Sequence, residues 1–237
     1  KGRTSHYLGG IGQALSARNY RVYWYGHLLS SNGVWIYLIS SQWLMFHLIA
    51  SPAWLGAVGF AYLAPLLFLG PLAGAISDRY GHRRVGIIGL SLGIVVSLLT
   101  TIVISLGILT PPLLVIFTLV QGCFMSFDFP ARQALIPQLL ERRHLAAAIG
   151  MNTSTFHTAS FTGPIIGGII ISFGNATFGE PLGAALSYFV SAVALSFMVL
   201  GMSRVNIVYP LPEINVFRPL IPAVLADLRA GVSYIMQ

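Results

Sequence analysis

The densest cluster of charge in this chain is Gly74-Ala75-Ile76-Ser77-Asp78-Arg79-Tyr80-Gly81-His82-Arg83-Arg84. Asp78 stands where it can engage a neighbouring Arg or a helix N-terminus. Gly81 allows a tight turn, and Gly74 permits another helix to come close. The chemistry such a segment can do is the making and breaking of ion pairs. A second group, Gly163-Pro164-Ile165-Ile166-Gly167-Gly168, has Gly163 and Gly167 on one helix face, so a neighbouring backbone can pack against them. Pro164 removes one helical hydrogen bond and permits a bend. A third feature is Asp128, an acidic residue inside an apolar run with Arg132 one turn further on, and intramembrane charges are costly enough to be functional candidates by default.

Covalent catalysis has no support in the residue pattern. It needs a nucleophile with a positioned base, or clustered metal ligands. His27 and His47 fall near opposite ends of one apolar run, while His82 and His144 fall in basic loops. No H-E-x-x-H pattern occurs, and no phosphate-binding G-x-x-x-x-G-K-[ST] loop. An enzyme is not expected, nor a cofactor or metal.

The elements that carry these groups are membrane helices. Hydrophobic residues make up 56% of the 237-residue chain and charged residues 8%, with a mean hydropathy of +0.79. A soluble domain is roughly a quarter charged. Crossing a hydrocarbon layer takes about 20 helical residues, and six runs are long enough: 23–48, 55–76, 85–108, 112–129, 146–173 and 182–202. None alternates as barrel strands do. A net charge of +7 then reads as topology rather than nucleic-acid binding, because cytoplasmic loops collect Lys and Arg. Every Lys and Arg falls on one side of the six runs, and the opposite loops carry only Glu180 as a charge. Both termini are therefore expected to be cytoplasmic.

Helical projection gives two polar and aromatic faces. Asn32, Trp35, Gln42 and Trp43 share an arc of about 100° on the first span, and Thr118, Gln121, Met125 and Asp128 share a similar arc on the fourth. Each span thus has one polar-aromatic face, as a cavity-lining helix should. On the fifth span His157 and Asn152 diverge by about 140°; His157 is expected to line the cavity and Asn152 to make a packing contact. Tyr20, Tyr23, Trp24 and Tyr25 suit the membrane interface.

The loop G-x-x-x-D-R-x-G-x-R-R, from Gly74 to Arg84, resembles the signature loop of the major facilitator superfamily. Gly163-Pro164 through Gly168 resembles the Gly-Pro motif of its antiporter members. Phe127-Asp128-Phe129-Pro130-Ala131-Arg132-Gln133-Ala134-Leu135-Ile136-Pro137, with Asn152, Ser51-Pro52 and Gly70-Pro71-Leu72-Ala73-Gly74, is similar to bacterial exporters of the enterobactin and macrolide efflux permease type. The resemblance runs from about Leu15 to Met202.

It implies an all-α membrane protein whose six transmembrane helices form one half of the fold as 3+3 inverted repeats, with a site near the bilayer midplane. It also implies that Asp78, Arg79, Arg83 and Arg84, with Gly74 and Gly81, form an inner gate that breaks and remakes during alternating access. The expected function is ion-gradient-coupled export of a small amphipathic molecule in a bacterial inner membrane; the alternative is a transporter-like scaffold without transport. Two positions depart from the pattern. His82 stands where the family often has Arg or Lys, which makes the local charge sensitive to pH. Thr118 stands where many proton-coupled exporters have an Arg, three residues before Gln121-Gly122.

The expected organisation is a basic cytoplasmic segment over 1–22, a helix bundle over 23–202, a Pro-rich linker over 203–222 and the start of a following unit over 223–237. Expected partners are the lipid bilayer, the small-molecule substrate, and either a C-terminal six-helix half or a second copy to close the cavity.

Overall fold

The computed structural model describes residues 9–207 of the chain. They form a short helix α1 (Gly9–Ser16) and six long ones: α2 (Arg18–Leu48), α3 (Pro52–Tyr80), α4 (His82–Ser105), α5 (Pro111–Leu135), α6 (Leu145–Phe178) and α7 (Leu182–Arg204). Short 3-10 turns at Ile136–Gln138 and Arg142–His144 join α5 to α6. Residues 1–8 of the expected basic segment, and the expected linker and following unit beyond residue 207, lie outside the described residues.

Local sequence explains the helix ends. Pro52 and Pro111 occupy the first helical positions of α3 and α5, where a missing N–H costs nothing and the fixed φ suits a helix. The one-residue junction between α3 and α4 is Gly81, with φ +92°, a conformation that L side chains rarely adopt. Its N–H closes α3 onto the Ser77 carbonyl at 2.9 Å. No boundary lies more than six residues from that read in the sequence. The largest shift is at α5, which runs through Pro130 to Leu135 instead of stopping at Phe129. Proline removes the N–H that would bond the Ser126 carbonyl, but the Asp128–Arg132 pair spans that point one turn apart and both side chains are buried.

Five of these helices, α3 to α7, are long and apolar enough to cross a membrane among the described residues. Helix α2, read as the first span, is longer than any of them except α6 but more polar. Its polar groups are spent inside the bundle. Ser40 Oγ lies 2.6 Å from Ser187 Oγ, Ser41 Oγ lies 2.8 Å from Tyr188 Oη, and Ser191 Oγ donates to the Gly33 carbonyl at 2.8 Å. Burial of a hydroxyl without a partner is costly, so this helix is matched to α7 rather than to lipid. The outer surface of the bundle is carried by apolar residues such as Phe60, Leu67, Ile88, Phe161, Ile169 and Phe197, all exposed.

Packing follows an exchange rule. Helix α2 packs on α6 and α7, α5 packs on α3 and α4, and α4 packs on α7. Swapping α2–α4 for α5–α7 maps each of these pairs onto another or onto itself. The short connections make successive long helices antiparallel, so α2 and α5 run oppositely, as inverted repeats require.

Two aromatic expectations are corrected. Tyr20 and Tyr23 are fully buried rather than interfacial. Tyr20 Oη donates to the Ala148 carbonyl at 2.9 Å and Tyr23 Oη to the Arg132 carbonyl at 3.3 Å. An apolar ring with one satisfied hydroxyl suits a helix junction as well as it suits a headgroup layer. Tyr25, two residues beyond Tyr23, is the exposed one.

Candidate transport cavity and inner gate

A cavity of about 340 Å³ opens between α2, α3, α5 and α6. Its walls are Val34, Trp35 and Leu38 from α2, Tyr62, Leu63 and Leu66 from α3, Gly122, Met125, Ser126, Phe129 and Arg132 from α5, and Phe156 from α6. Of the expected cavity residues, Trp35 and Met125 are there. The others are placed elsewhere. Asn32 Oδ1 accepts a hydrogen bond from Thr162 Oγ1 at 2.7 Å, which commits it to the α2–α6 seam. Gln42 points toward Gly59 of α3, and Trp43 stacks on His47 with ring centroids 5.2 Å apart. Gln121 is buried against α4, filling the space that Gly93 leaves by lacking a side chain. His157 is exposed, and its neighbour Phe156 reaches the cavity. An arc of 100° touches more than one neighbour, and which neighbour it meets changes along crossing helices.

One end of the cavity is held by a buried polar network. Arg132 Nη2 lies 2.5 Å from Asp128 Oδ2, and Arg132 Nη1 donates to Ser30 Oγ on α2 at 3.1 Å. Asn152 Nδ2 donates to Tyr23 Oη at 3.3 Å, and His27 Nε2 lies 3.2 Å from the Asn152 carbonyl. Asn152 is thus a packing residue of α6. Because Asp128 and Arg132 neutralise each other, the pair places no net charge at the cavity. Thr118 is fully buried and its hydroxyl donates back to the Leu114 carbonyl at 2.8 Å, so that position supplies no cation.

The small-residue motif of α6 divides in two. A β-carbon at Gly163 would collide with Trp35 Cβ, and one at Gly167 would lie 2.6 Å from Ile39 Cγ2. These two glycines let α2 and α6 meet, and the contact holds the Trp35 backbone beside the cavity. Gly168 has no neighbour within 4 Å of such an atom among the described residues. Helix α6 continues unbroken through Pro164.

At the loop between α3 and α4, His82 is buried, not exposed in a loop as the sequence suggested. Its Nδ1 is 2.6 Å from Ser77 Oγ and its Nε2 3.5 Å from Asp78 Oδ1. Gly81 turns the chain so sharply that His82 becomes the first residue of α4, folded back on α3. Arg83 donates to the Ser203 carbonyl at the end of α7. The Arg79 guanidinium sits 5.8 Å from the Tyr80 ring centroid. Asp78 is exposed. A β-carbon at Gly74, expected to receive a packed helix, would meet no other element within 4 Å among the described residues, and neither would one at Gly70.

Tyr62 and Phe156 escaped the sequence reading. On α3 polarity marks no face, so Tyr62 looks like any other apolar-run residue; on α6 polarity pointed to His157, the residue after Phe156.

The chain matches the family model for transmembrane secretion effectors over residues 13–224. It belongs to that family, a branch of the major facilitator superfamily, and is an integral membrane protein. It is 28% identical over 164 residues to the staphyloferrin A transporter of Staphylococcus aureus, covering 68% of this chain and 41% of that protein. It is 26% identical over 175 residues to the uncharacterized MFS-type transporter YfiS of Bacillus subtilis, covering 72% and 40%. It is 30% identical over 151 residues to the methylenomycin A resistance protein of Bacillus subtilis, covering 61% and 30%. The matched part of the chain thus spans about two fifths or less of these relatives' length. The family and these relatives are transporters and a resistance protein, not enzymes.

Proposed function

We propose that this chain forms the N-terminal half of a secondary active transporter that exports a small amphipathic molecule by alternating access, driven by an ion gradient. The observation that carries the reading is the aromatic cavity between α2, α3, α5 and α6, which opens at the surface of the six-helix unit. Trp35, Tyr62, Met125, Phe129 and Phe156 offer the substrate polarisable faces, and a second six-helix unit laid over the opening would complete the enclosure. Staphyloferrin A and methylenomycin A, the compounds in the names of two relatives, are the first substrates to try.

In this reading α2 crosses the membrane with α3–α7, both termini are cytoplasmic, and the membrane is the bacterial inner one. Asp78, Arg79, Arg83 and Arg84 act as the inner gate. The open stripe Gly70, Gly74, Asp78, spaced by four on α3, is where a helix of the second half would seat. Gly163, Pro164, Gly167 and Gly168 play the antiporter-type role, with Gly168 facing the second half.

Counterflow in proteoliposomes tests this. The complete protein should exchange substrate, the 237-residue chain alone should not, and adding the C-terminal half as a separate chain should restore exchange. Robust exchange by the demonstrably monomeric chain overturns the half-transporter reading. Exchange by a homodimer shows that a second copy supplies the missing wall. A complete protein that is folded but silent with every substrate points to a scaffold.

A further inference from the structure

A second concavity, of about 420 Å³, lies on another side of the bundle, between the end of α3, the first three turns of α4 and the middle of α5. Its walls are apolar: Ile76, Ile88 and Leu92 line the sides, and Phe124 and Phe127 lie beneath. Phe127 is two residues from Phe129 of the first cavity, which places it on the opposite face of α5. Gly89 lets α4 and α5 meet at the groove's floor; a β-carbon there would lie 3.0 Å from the Phe124 carbonyl oxygen.

One charge breaks the apolar lining, and it sits at one end. Arg84 belongs to the first turn of α4, with Ile88 and Leu92 one and two turns deeper into the span. At 1.5 Å per residue the distance from Arg84 to Leu92 is about 12 Å along the helix. Arg84 is exposed and makes no hydrogen bond or ion pair among the described residues. Its neighbour Arg83 is turned away to Ser203. Tyr80, exposed, stands at the same end. A cation and a phenol at the rim of a groove that descends apolar into the membrane match the order of groups along a phospholipid, headgroup first and acyl chain below.

We propose that this groove binds one anionic phospholipid, with its phosphodiester on Arg84 and an acyl chain along Ile88 and Leu92. The membrane supplies this ligand from the leaflet on the Arg84 side. A zwitterionic lipid fills the groove equally well but gains less from Arg84, so selectivity for negative headgroups comes from that one residue.

The test is native mass spectrometry of the delipidated full chain, titrated with dioleoyl phosphatidylglycerol or dioleoyl phosphatidylcholine. One phosphatidylglycerol should be retained about fivefold more tightly than phosphatidylcholine. Arg84→Gln should abolish that preference, and Arg204→Gln, which removes an exposed cation at the end of α7 outside the groove, should leave it intact. Ile88→Trp, at an exposed position that tolerates bulk, should fill the groove and weaken retention of both lipids; it carries the test if Arg84→Gln does not fold. Equal retention of the two lipids, an unchanged preference in Arg84→Gln, an equal loss in Arg204→Gln, or full retention in Ile88→Trp each overturns the proposal. Free sn-glycerol 3-phosphate should not displace the lipid, and displacement at equimolar concentration would show that the acyl groove contributes nothing.

Discussion

Arg132 on α5 donates a hydrogen bond to Ser30 on α2 over 3.1 Å, so the guanidinium that neutralises Asp128 also ties the first helices of the two three-helix repeats together. The Tyr23 hydroxyl, which donates to the Arg132 carbonyl at 3.3 Å, makes a second direct bond between α2 and α5. The network is therefore placed to sense any change in the separation of these helices at the cavity.

Asp128→Asn should destabilise the chain by about 3–5 kcal/mol, because it leaves the Arg132 cation buried without a counter-ion. Replacing both, Asp128→Leu with Arg132→Met, should cost much less, since no charge then remains to be solvated. Unfolding curves in mixed micelles measure both. A double variant as unstable as the single one would show that the pair is needed for more than its own neutralisation.

Gly163→Ala and Gly167→Ala should each cost about 1–3 kcal/mol, as overpacked sites do, while Gly168→Ala should be close to neutral. The difference follows from Trp35 and Ile39 facing the first two and no described residue facing the third. Thermal stability of the three variants, measured side by side, decides it. In the complete protein Gly168→Ala gains a second readout, since a helix seated there would make it impair exchange.

Asp78→Asn should lower substrate exchange by the complete protein by roughly tenfold, equivalent to about 1.4 kcal/mol lost from one gate state. Membrane insertion should be unchanged, because Asp78 is exposed and its substitution removes charge without adding bulk. Wild-type rates at equal expression would remove Asp78 from the gate.

Topology is read independently of transport. In a Cys123→Ser background, a Cys at position 175 should react with a membrane-impermeant maleimide in intact cells, and one at position 80 only after permeabilisation. The reverse pattern would invert the orientation and move the gate to the outer face.

Much of the architecture was legible without coordinates. The helical character and rough limits of the runs follow from apolar run length against bilayer thickness, although α2, the first of the six, is not among the five described helices apolar enough to cross a membrane. The turn at Gly81 follows from a residue with unusual backbone freedom, while the helix starts at Pro52 and Pro111 lie three residues and one residue before those read at 55 and 112. The pairing of Asp128 with Arg132 was readable because an i,i+4 spacing on one helix is a local fact.

The fate of the polar faces was not local. Asn32, Gln42 and Trp35 share an arc on α2, yet Asn32 joins Thr162, Gln42 turns to α3, and only Trp35 reaches the cavity. Gln121 and Met125 part in the same way, because Gly93 of α4 leaves room for one of them. His82 is buried only because Gly81 folds the start of α4 back onto Ser77. Composition and periodicity determined that these helices exist and which residues share a face; only tertiary packing decided what each face meets, because a face is a property of one helix and a cavity is a property of four.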